Sequence, residues 1–279
     1  GFGHALEPRP YGGLAAWFGG VPVTPTPLQK AVEEVELSAG PQLFILEDVT
    51  GAGKTEAACI LAQRLLHAEA AEGLYFALPT MATSNAMYAR LGSLHRHFYT
   101  GEGEPSFVLA HGARELNEDF VRSLVGDQPD DRNYGADEAT ASAQCNYWLA
   151  DSRKKALLAD VAVGTIDQAL MGVLPFRHQS LRLYGLARKL LIVDEVHAYD
   201  VYTRSLLAAL LAHHARQGGS AILLTATLPL AQRQALVSAW RQALNAGPAL
   251  LEETAFPLLT RTGDDSLVLE QPVAARSAS

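Results

Sequence analysis

Two short segments of the chain carry residue types suited to the chemistry of nucleoside triphosphates. The first reads LEDVTGAGKTE and contains Lys54 and Thr55; the second reads LLIVDEVH and contains Asp194 and Glu195. In such a pair, Lys54 would contact the β- and γ-phosphates, and Thr55 and Asp194 would hold Mg²⁺. Glu195 would orient the attacking water, so Lys54, Asp194 and Glu195 are the predicted catalytic residues.

The first segment has the local context of a phosphate-binding loop. An apolar run over residues 43–46 is short enough for a buried strand, and the residues after Glu56 are typical of a helix. A strand, a glycine loop and a helix in this order direct backbone N–H groups at phosphate oxygens. Gly51 and Gly53 permit the backbone angles that this requires. The predicted nucleotide-binding residues of the loop are Thr50, Gly51, Ala52, Gly53, Lys54, Thr55 and Glu56.

One position departs from the usual pattern of such loops. Asp48 stands five residues before Gly53, where glycine is usual. A carboxylate beside a polyphosphate is electrostatically unfavourable. We therefore expect the side chain of Asp48 to point away from the phosphates.

Further segments, each at a strand end or a helix start, fit the same kind of site. Residues 26–29 read TPLQ, and a glutamine amide suits the N6 and N7 atoms of adenine. Small polar residues in LPTMATSNAM, among them Thr80, and Thr165 in VGTIDQAL offer hydroxyl and N–H groups to nucleic-acid phosphates. A simple helix cap or helix start explains either segment equally well. The threonines of the later TAT segment would link DEVH to another site.

Composition bounds the class of protein. With 279 residues and 48% hydrophobic content, the chain can form one large α/β domain or two small ones. No apolar run approaches the ~18 residues of a membrane span, so no membrane contact is expected.

The net charge of −8 argues against a generally basic nucleic-acid-binding surface. Residues 126–142 hold five acids against Arg132 alone and are expected to form a flexible acidic insertion. Cys59 and Cys145 lack metal spacing and indicate reduced thiols in a cytoplasmic protein.

Short apolar runs alternate with helical patterns along the chain. Strands are predicted at residues 43–46, 74–78, 107–110, 161–163, 189–193 and 221–224. Helices are predicted at residues 26–38, 56–72, 83–99, 149–159, 166–173, 202–217 and 230–244. This alternation predicts an α/β fold with a mainly parallel central sheet and helices on both faces.

Taken in order, the segments TPLQ, TGAGKTE, LPTMATSNAM, VGTIDQAL, DEVH and TAT resemble the first RecA-like domain of superfamily-2 helicases. The run LLIVDEVHAYD looks like the DEVH box of the CRISPR-associated helicase–nuclease of type I interference systems, and the resemblance covers roughly residues 22–260. It implies a RecA-like P-loop fold and an ATP-dependent translocase of single-stranded DNA from a bacterium or archaeon. It also implies ATP and Mg²⁺ as cofactors and the CRISPR surveillance complex as a partner.

The same resemblance implies roles for individual residues. Gln29 would contact the adenine. His197, Thr225 and Thr227 would couple the nucleotide state to a neighbouring domain. The residues expected along the translocated DNA strand are Pro79, Thr80, Thr165 and Gln168.

Members of that family normally carry an HD nuclease domain before the motor and a second RecA-like domain after it. This sequence has no His-Asp dipeptide and few residues before the loop. Both domains are therefore expected to be missing, which leaves a fragment with little activity alone. The expected division is an irregular lead-in over residues 1–25, an ATP-binding domain over 26–245, and the start of a linker with a disordered tail over 246–279.

Two other hypotheses stay open. One is a non-catalytic module that docks onto the surveillance complex or another protein; the intact Lys54, Asp194 and Glu195 argue against a lineage that has lost catalysis. The other is a DEAD-type RNA helicase domain, which His197 and the long segment 101–149 fit poorly. The nucleotide affinity of a Lys54→Ala variant tests the first, and a preference for RNA over DNA tests the second.

Overall fold

The structure is a computed structural model. It describes residues 6–100, 105–110, 159–170, 186–187, 189–264 and 268–275. The expected acidic insertion at residues 126–142 and all but the last residue of the helix predicted at 149–159 lie outside the described residues.

The described residues form one large sheet and one small one. The strands are β1 (Glu7–Pro8), β2 (Leu43–Glu47), β3 (Gly73–Leu78), β4 (Tyr99–Thr100), β5 (Phe107–Leu109), β6 (Val161–Thr165), β7 (Lys189–Val193), β8 (Ala221–Thr225), β9 (Leu258–Thr262) and β10 (Val268–Pro272). In the large sheet the spatial order is β10-β9-β2-β8-β7-β3-β6-β5, while β1 pairs with β4 alone. The neighbours from β2 through β8, β7, β3 and β6 to β5 are parallel, as predicted. Their carboxyl ends therefore meet at one edge, where open α/β sheets bind ligands.

Helices cover both faces of this sheet. They are α1 (Leu14–Trp17), α2 (Pro27–Glu34), α3 (Lys54–His67), α4 (Met81–Leu91), α5 (Ile166–Leu170), α6 (Val201–Arg216) and α7 (Leu230–Ala243), with 3₁₀ turns at His95–Phe98 and Val196–Ala198. Alternate strand residues enter two cores: Phe44 and Leu46 pack with residues of α1 to α4, while Leu43 and Ile45 pack with residues of α5 to α7. Successive side chains of a strand point to opposite faces, so the parallel strands, buried on both, read as continuous apolar runs.

Strands β9 and β10 lie beyond residue 245 and extend the sheet, which corrects the linker expected there. The end of the expected tail, residues 276–279, lies outside the described residues. Strand β9 pairs antiparallel with β2, from Leu43 opposite Thr262 to Glu47 opposite Leu258, and β10 pairs antiparallel with β9. All five residues of β9 are buried. The pattern LLTRT concealed this strand because two of its polar residues find buried partners: Arg261 donates to Gln42 Oε1 at 3.0 Å, and Thr262 Oγ1 accepts from Arg241 at 3.2 Å.

The lead-in before residue 26 is also more ordered than predicted, because it contains β1 and α1. Leu14 and Trp17 of α1 are buried in the core on that face of the sheet. The indole N–H of Trp17 donates to Gln63 Oε1 of α3 at 3.0 Å. These contacts hold the lead-in against the helix that follows the glycine loop.

No helix in the described part of the chain is long and apolar enough to cross a membrane.

Candidate active site

A cavity of about 530 Å³ opens at the carboxyl ends of the parallel strands, between the glycine loop and the acids that follow β7. It brings together most of the predicted nucleotide-site residues. These are Gln29, Thr50, Gly51, Gly53, Lys54, Thr55, Glu56, Asp194 and Glu195. Ala52 is buried at the base of the loop. The two segments that are far apart in sequence therefore face one space.

The glycine loop has the backbone shape that the sequence predicts. Gly51 and Gly53 adopt left-handed angles, with φ of 82° and 81°. Gly53 precedes the first turn of α3, whose N–H groups carry the positive end of the helix dipole. A Cβ on Gly53 would lie 2.3 Å from Nε2 of Gln29, so a side chain at this position would have to displace the Gln29 amide. Such a cradle suits phosphate oxygens.

The ammonium of Lys54 lies over the loop that precedes it. Its Nζ donates to the carbonyl oxygens of Asp48 at 2.7 Å and Val49 at 2.9 Å. A lysine has three N–H donors, so one remains for a phosphate oxygen. The carboxylate of Asp48 accepts the N–H of Val49 at 2.7 Å, which holds it on the backbone of the loop.

Gln29 connects the glycine loop to α2. Its side-chain oxygen accepts the N–H of Thr26 at 2.9 Å, and the Thr26 hydroxyl accepts the N–H of Gln29 at 3.3 Å, forming a capping box. Its Nε2 donates to the carbonyl of Gly53 at 3.3 Å. An amide nitrogen carries two N–H bonds, so the second is not used by Gly53 and can serve an acceptor such as adenine N7.

Two apolar side chains beside Gln29 were missed by sequence reasoning. Phe18 and Val23 line the same cavity and are 46% and 38% exposed. An exposed aromatic ring at a polar cavity offers a face on which a planar base can stack. The sequence did contain a signal for this surface, because Phe18 is an aromatic residue shortly before TPLQ, in a segment predicted to be irregular.

The two predicted metal ligands fit Mg²⁺ by their chemistry. Thr55 supplies a hydroxyl and Asp194 a carboxylate, and Mg²⁺ prefers oxygen ligands. Burial raises the pKa of Asp194, while the N–H of Glu195 and the charges of Lys54 and Arg90 act in the opposite direction. The described residues contain no group of three or more His, Cys, Asp or Glu placed to hold a metal. The pair therefore suits a cation that is also held by phosphate oxygens, not a cage made of protein ligands alone.

The DEVH segment is joined to the TAT segment through one imidazole. Nε2 of His197 lies 3.1 Å from Oε2 of Glu195. Its Nδ1 accepts the N–H of Ala226 at 3.2 Å and lies 3.3 Å from the hydroxyl of Thr225. An N–H can only donate, so Nδ1 is the unprotonated nitrogen and Nε2 carries the proton toward Glu195. Thr227 takes part through its carbonyl, 3.3 Å from the Thr225 hydroxyl.

Arg90 also lines the cavity, although no sequence motif marked it. It lies in the last turn of α4. Its Nη1 donates to Thr55 Oγ1 at 3.2 Å, and its Nη2 forms an ion pair with Glu56. Arg90 thus contacts the two residues that follow Lys54.

The residues predicted to contact nucleic acid lie in two different environments. Thr80 is exposed and caps α4 by accepting the N–H of Thr83 at 3.2 Å, and Pro79 precedes it. Thr165 and Gln168 are buried, 3% and 5% exposed. Gln168 Oε1 accepts the N–H of Thr165 at 3.2 Å, while Thr165 Oγ1 and Gln168 Nε2 have no hydrogen-bond partner among the described residues. Only the first pair lies where a strand can reach it in this conformation.

Comparisons with known proteins agree with this geometry. Residues 26–236 match the DEAD/DEAH box helicase family. The CRISPR-associated endonuclease/helicase Cas3 of Escherichia coli (strain K12) is 41% identical over 241 residues, 86% of this chain and 26% of that protein. The crystal structure of T. fusca Cas3-ATP superposes with a TM-score of 0.76 at 30% identity, over 98% of this chain and 30% of that one. A chain of a CRISPR RNA-guided surveillance complex, pre-nicking, superposes with a TM-score of 0.61 at 28% identity, over 94% of this chain and 27% of that one.

These matches bear on one part of larger proteins, because this chain spans about a quarter of the length of the relatives. The family match runs from the TPLQ segment to α7 and so includes the glycine loop, DEVH and TAT. The mainly parallel sheet is shared with the T. fusca structure over nearly the whole chain. The chain therefore belongs to the DEAD/DEAH box helicase family and has the RecA-like fold of a first motor domain similar to that of Cas3.

Proposed function

We propose that this chain is the ATP-binding first motor domain of an ATP-dependent translocase that acts on single-stranded DNA in CRISPR defence. One observation carries the proposal. Lys54 and Thr55 of the glycine loop and Asp194 and Glu195 after β7 line a single cavity, and Gln29, hydrogen-bonded to Gly53, lines it as well. This arrangement serves binding and hydrolysis of a nucleoside triphosphate better than docking alone, which needs none of these groups in one space.

Each residue has a task that its position supports. ATP supplies the phosphoanhydride bond, and its Mg²⁺ spreads the charge of the phosphates. Loop N–H groups and Lys54 bind the phosphate oxygens, Thr55 and Asp194 orient the cation, and Phe18 with Gln29 receives the base. The Glu195 carboxylate, held by His197 at 3.1 Å, is placed to orient a water molecule and accept its proton.

Two pairs of residues are proposed to contact the nucleic acid. Pro79 and Thr80 lie at the exposed start of α4. Thr165 and Gln168 belong to the expected DNA track, but they are buried here and need a rearrangement of their segment to contact a strand. The bond between His197 and the TAT segment would pass the state of Glu195 to a neighbouring domain.

The partners are proposed from the relatives. The matched proteins are described as CRISPR-associated, and one matched chain belongs to a surveillance complex. We propose the same complex as a partner of this chain, in the cytoplasm of a bacterium or archaeon. The chain spans 26% of the E. coli relative, and we expect efficient ATP turnover to need a second RecA-like domain. That domain and an HD nuclease domain are the proposed partner domains of this chain.

The test is ATP binding by the 279-residue chain, measured by calorimetry with Mg²⁺. Lys54→Ala should weaken binding at least tenfold, since it removes a charged phosphate contact. Lys30→Ala is the matched control: this lysine is 66% exposed on α2 and pairs only with Glu34 at 3.9 Å among the described residues. ATP binding by neither wild type nor variants would instead support the docking module.

Nucleic-acid selectivity is tested separately. We expect slow ATP hydrolysis by the chain alone and stronger binding to single-stranded DNA than to RNA of the same sequence, measured by fluorescence anisotropy. A preference for RNA would favour the RNA helicase alternative. Strong DNA-stimulated hydrolysis by these 279 residues would show that no other domain is needed.

A further inference from the structure

Arg90 contacts the candidate metal site from a different element than the motifs do. Its guanidinium bridges two neighbours on α3: Nη1 donates to Thr55 Oγ1 at 3.2 Å, and Nη2 pairs with Glu56. Glu56 is well shielded, with 17% of its side chain exposed, whereas 49% of the Arg90 side chain is exposed. The guanidinium of Arg90 is thus anchored by two residues of α3, and Arg90 lines the cavity.

The hydrogen bond from Arg90 is made to Thr55 Oγ1, the oxygen that would coordinate Mg²⁺. A hydroxyl oxygen that accepts a guanidinium N–H shares its electron pairs between that donor and any metal ion. A guanidinium and a divalent cation on the same oxygen also repel each other, because both are positive and only a few ångströms apart. Arg90 further acts on Asp194, the other candidate ligand, as a nearby positive charge. One arginine therefore faces both proposed ligands.

The stability of the ion pair alone does not account for this placement. Partly exposed ion pairs of this kind contribute little to folding stability. Arg90 lines the cavity from the last turn of α4, and Thr80, the exposed residue expected to contact DNA, caps the first turn of the same helix. Helix α4 also contributes Thr83 and Met87 to the cavity lining, so it connects the nucleotide site to the proposed DNA contact at Thr80.

We propose that Arg90 is a positioning residue for Thr55: held by Glu56, it orients the Thr55 hydroxyl and competes there with the divalent cation. Binding of metal and nucleotide then displaces the guanidinium from Thr55, which changes the contact between α4 and α3. This inference rests on the proposed nucleotide site and adds to it a residue from outside the recognised motifs.

The experiment measures ADP affinity of the 279-residue chain by calorimetry, once in excess Mg²⁺ and once in excess EDTA. Arg90→Gln removes a charge that helps bind phosphate without metal and opposes the metal when it is present. The ratio of the affinity in Mg²⁺ to that in EDTA should therefore rise, by about three- to tenfold for a partly exposed charge. Arg90→Lys keeps the charge but cannot bridge Thr55 and Glu56, and its ratio should lie between wild type and Arg90→Gln.

Arg216→Gln is the matched control, because this exposed arginine ends α6 away from the cavity-lining residues. Its ratio should equal that of wild type. Thermal unfolding shows whether each variant is folded. An Arg90→Gln protein with the wild-type ratio, or a lower one, would overturn the role of Arg90 while leaving the nucleotide site intact. Failure of wild type to bind ADP in both conditions would overturn the nucleotide site and this inference together.

Discussion

The imidazole of His197 holds the carboxylate of Glu195 through Nε2 at 3.1 Å, and its other nitrogen accepts the N–H of Ala226 at 3.2 Å. Glu195 itself has left-handed backbone angles, with φ of 56°, which is unusual outside glycine. The position of the Glu195 carboxylate therefore depends on a side chain two residues later and on the end of β8.

His197→Ala should uncouple nucleotide turnover from DNA without abolishing nucleotide binding, since His197 is absent from the cavity lining. The lost acceptor for Ala226, which water can replace at this partly exposed position, should cost about 1 kcal/mol or less of stability. We expect ADP affinity within about twofold of wild type and loss of the DNA-dependent increase in ATP hydrolysis. The measurement uses the motor joined to its partner domains. His197→Asn, which can still accept the Ala226 N–H, is the companion variant; retention of full DNA stimulation by His197→Ala would contradict the coupling role.

The two loop glycines provide a matched pair of substitutions. Both have φ near 80°, so alanine at either costs ~1–2 kcal/mol of backbone strain. A Cβ at Gly51 meets nothing within 4 Å, whereas at Gly53 it lies 2.3 Å from Nε2 of Gln29. Gly53→Ala must therefore displace Gln29 as well. We expect it to weaken ADP binding on the order of tenfold more than Gly51→Ala; equal effects in calorimetry would show that Gln29 does not take part.

The ionised carboxylate of Asp194 is expected to lower the free energy of unfolding at neutral pH. Burial raises its pKa, so above that raised value the folded chain bears an ionisation cost that the unfolded chain does not. Below the ordinary carboxyl pKa, both states are protonated and the cost vanishes. Asp194→Asn, whose Oδ1 can still accept the Glu195 N–H, should thus be as stable as wild type or more stable by up to ~1 kcal/mol at neutral pH.

The same variant should lose the Mg²⁺ dependence of ADP binding, because only the ionised carboxylate binds the cation well. In wild type, that dependence should weaken as pH falls toward the raised pKa of Asp194. Urea unfolding and calorimetry measure the two effects. Glu34→Gln, an exposed acid on α2, is the control. A clear loss of stability in Asp194→Asn would show that the carboxylate supports the fold instead.

Sequence patterns predicted the parts of the fold that depend on local chemistry. The helix after the loop begins at Lys54 and ends at His67, against a predicted 56–72, because leucine and alanine at helical spacing are a local signal. The acids after β7 were assigned correctly to the end of a buried strand for the same reason. Short runs of β-branched and leucine residues mark such strands wherever both faces are covered.

Contacts between distant residues left no such signal. Arg90 meets Thr55 across 35 positions, and Arg233 meets Glu47 across 186, so no spacing rule connects them. Burial of Thr165 and the pairing of β9 with β2 likewise follow from neighbours supplied by the tertiary fold. A polar residue argues neither for nor against a buried strand until its hydrogen-bond partner is known.

The segment beyond residue 245 should be required for folding, because β9 lies between β2 and β10. Leu258 and Leu259 are fully buried, and each such side chain contributes ~1.5–3 kcal/mol. A chain ending at residue 245 would expose β2 as an edge strand. We expect it to lose on the order of 5 kcal/mol or to aggregate, while a chain ending at 275 behaves like wild type in thermal unfolding. Equal stability of the two truncations would restore the linker interpretation.

Arg233 on α7 is the buried cation that holds the end of β2 to the C-terminal strands. It is 2% exposed, and it donates to Glu47 at 2.9 Å and to Glu270 of β10 at 3.0 Å. Removing one partner of a buried ion pair leaves an uncompensated charge, so Arg233→Met should cost ~3–5 kcal/mol at neutral pH in urea unfolding.

The pH dependence of this penalty has a defined sign. Burial raises the pKa of Glu47, and Arg233 opposes that rise. Without the arginine the pKa climbs further, so on acidification Glu47 takes up a proton in the folded variant before it does so in the unfolded chain. The destabilisation of Arg233→Met should therefore shrink as pH falls, with Glu270 as the second carboxyl facing the arginine. Glu47→Gln in the same background should recover part of the loss at neutral pH; a penalty that is constant with pH would show that packing, and not the buried charge, sets the cost.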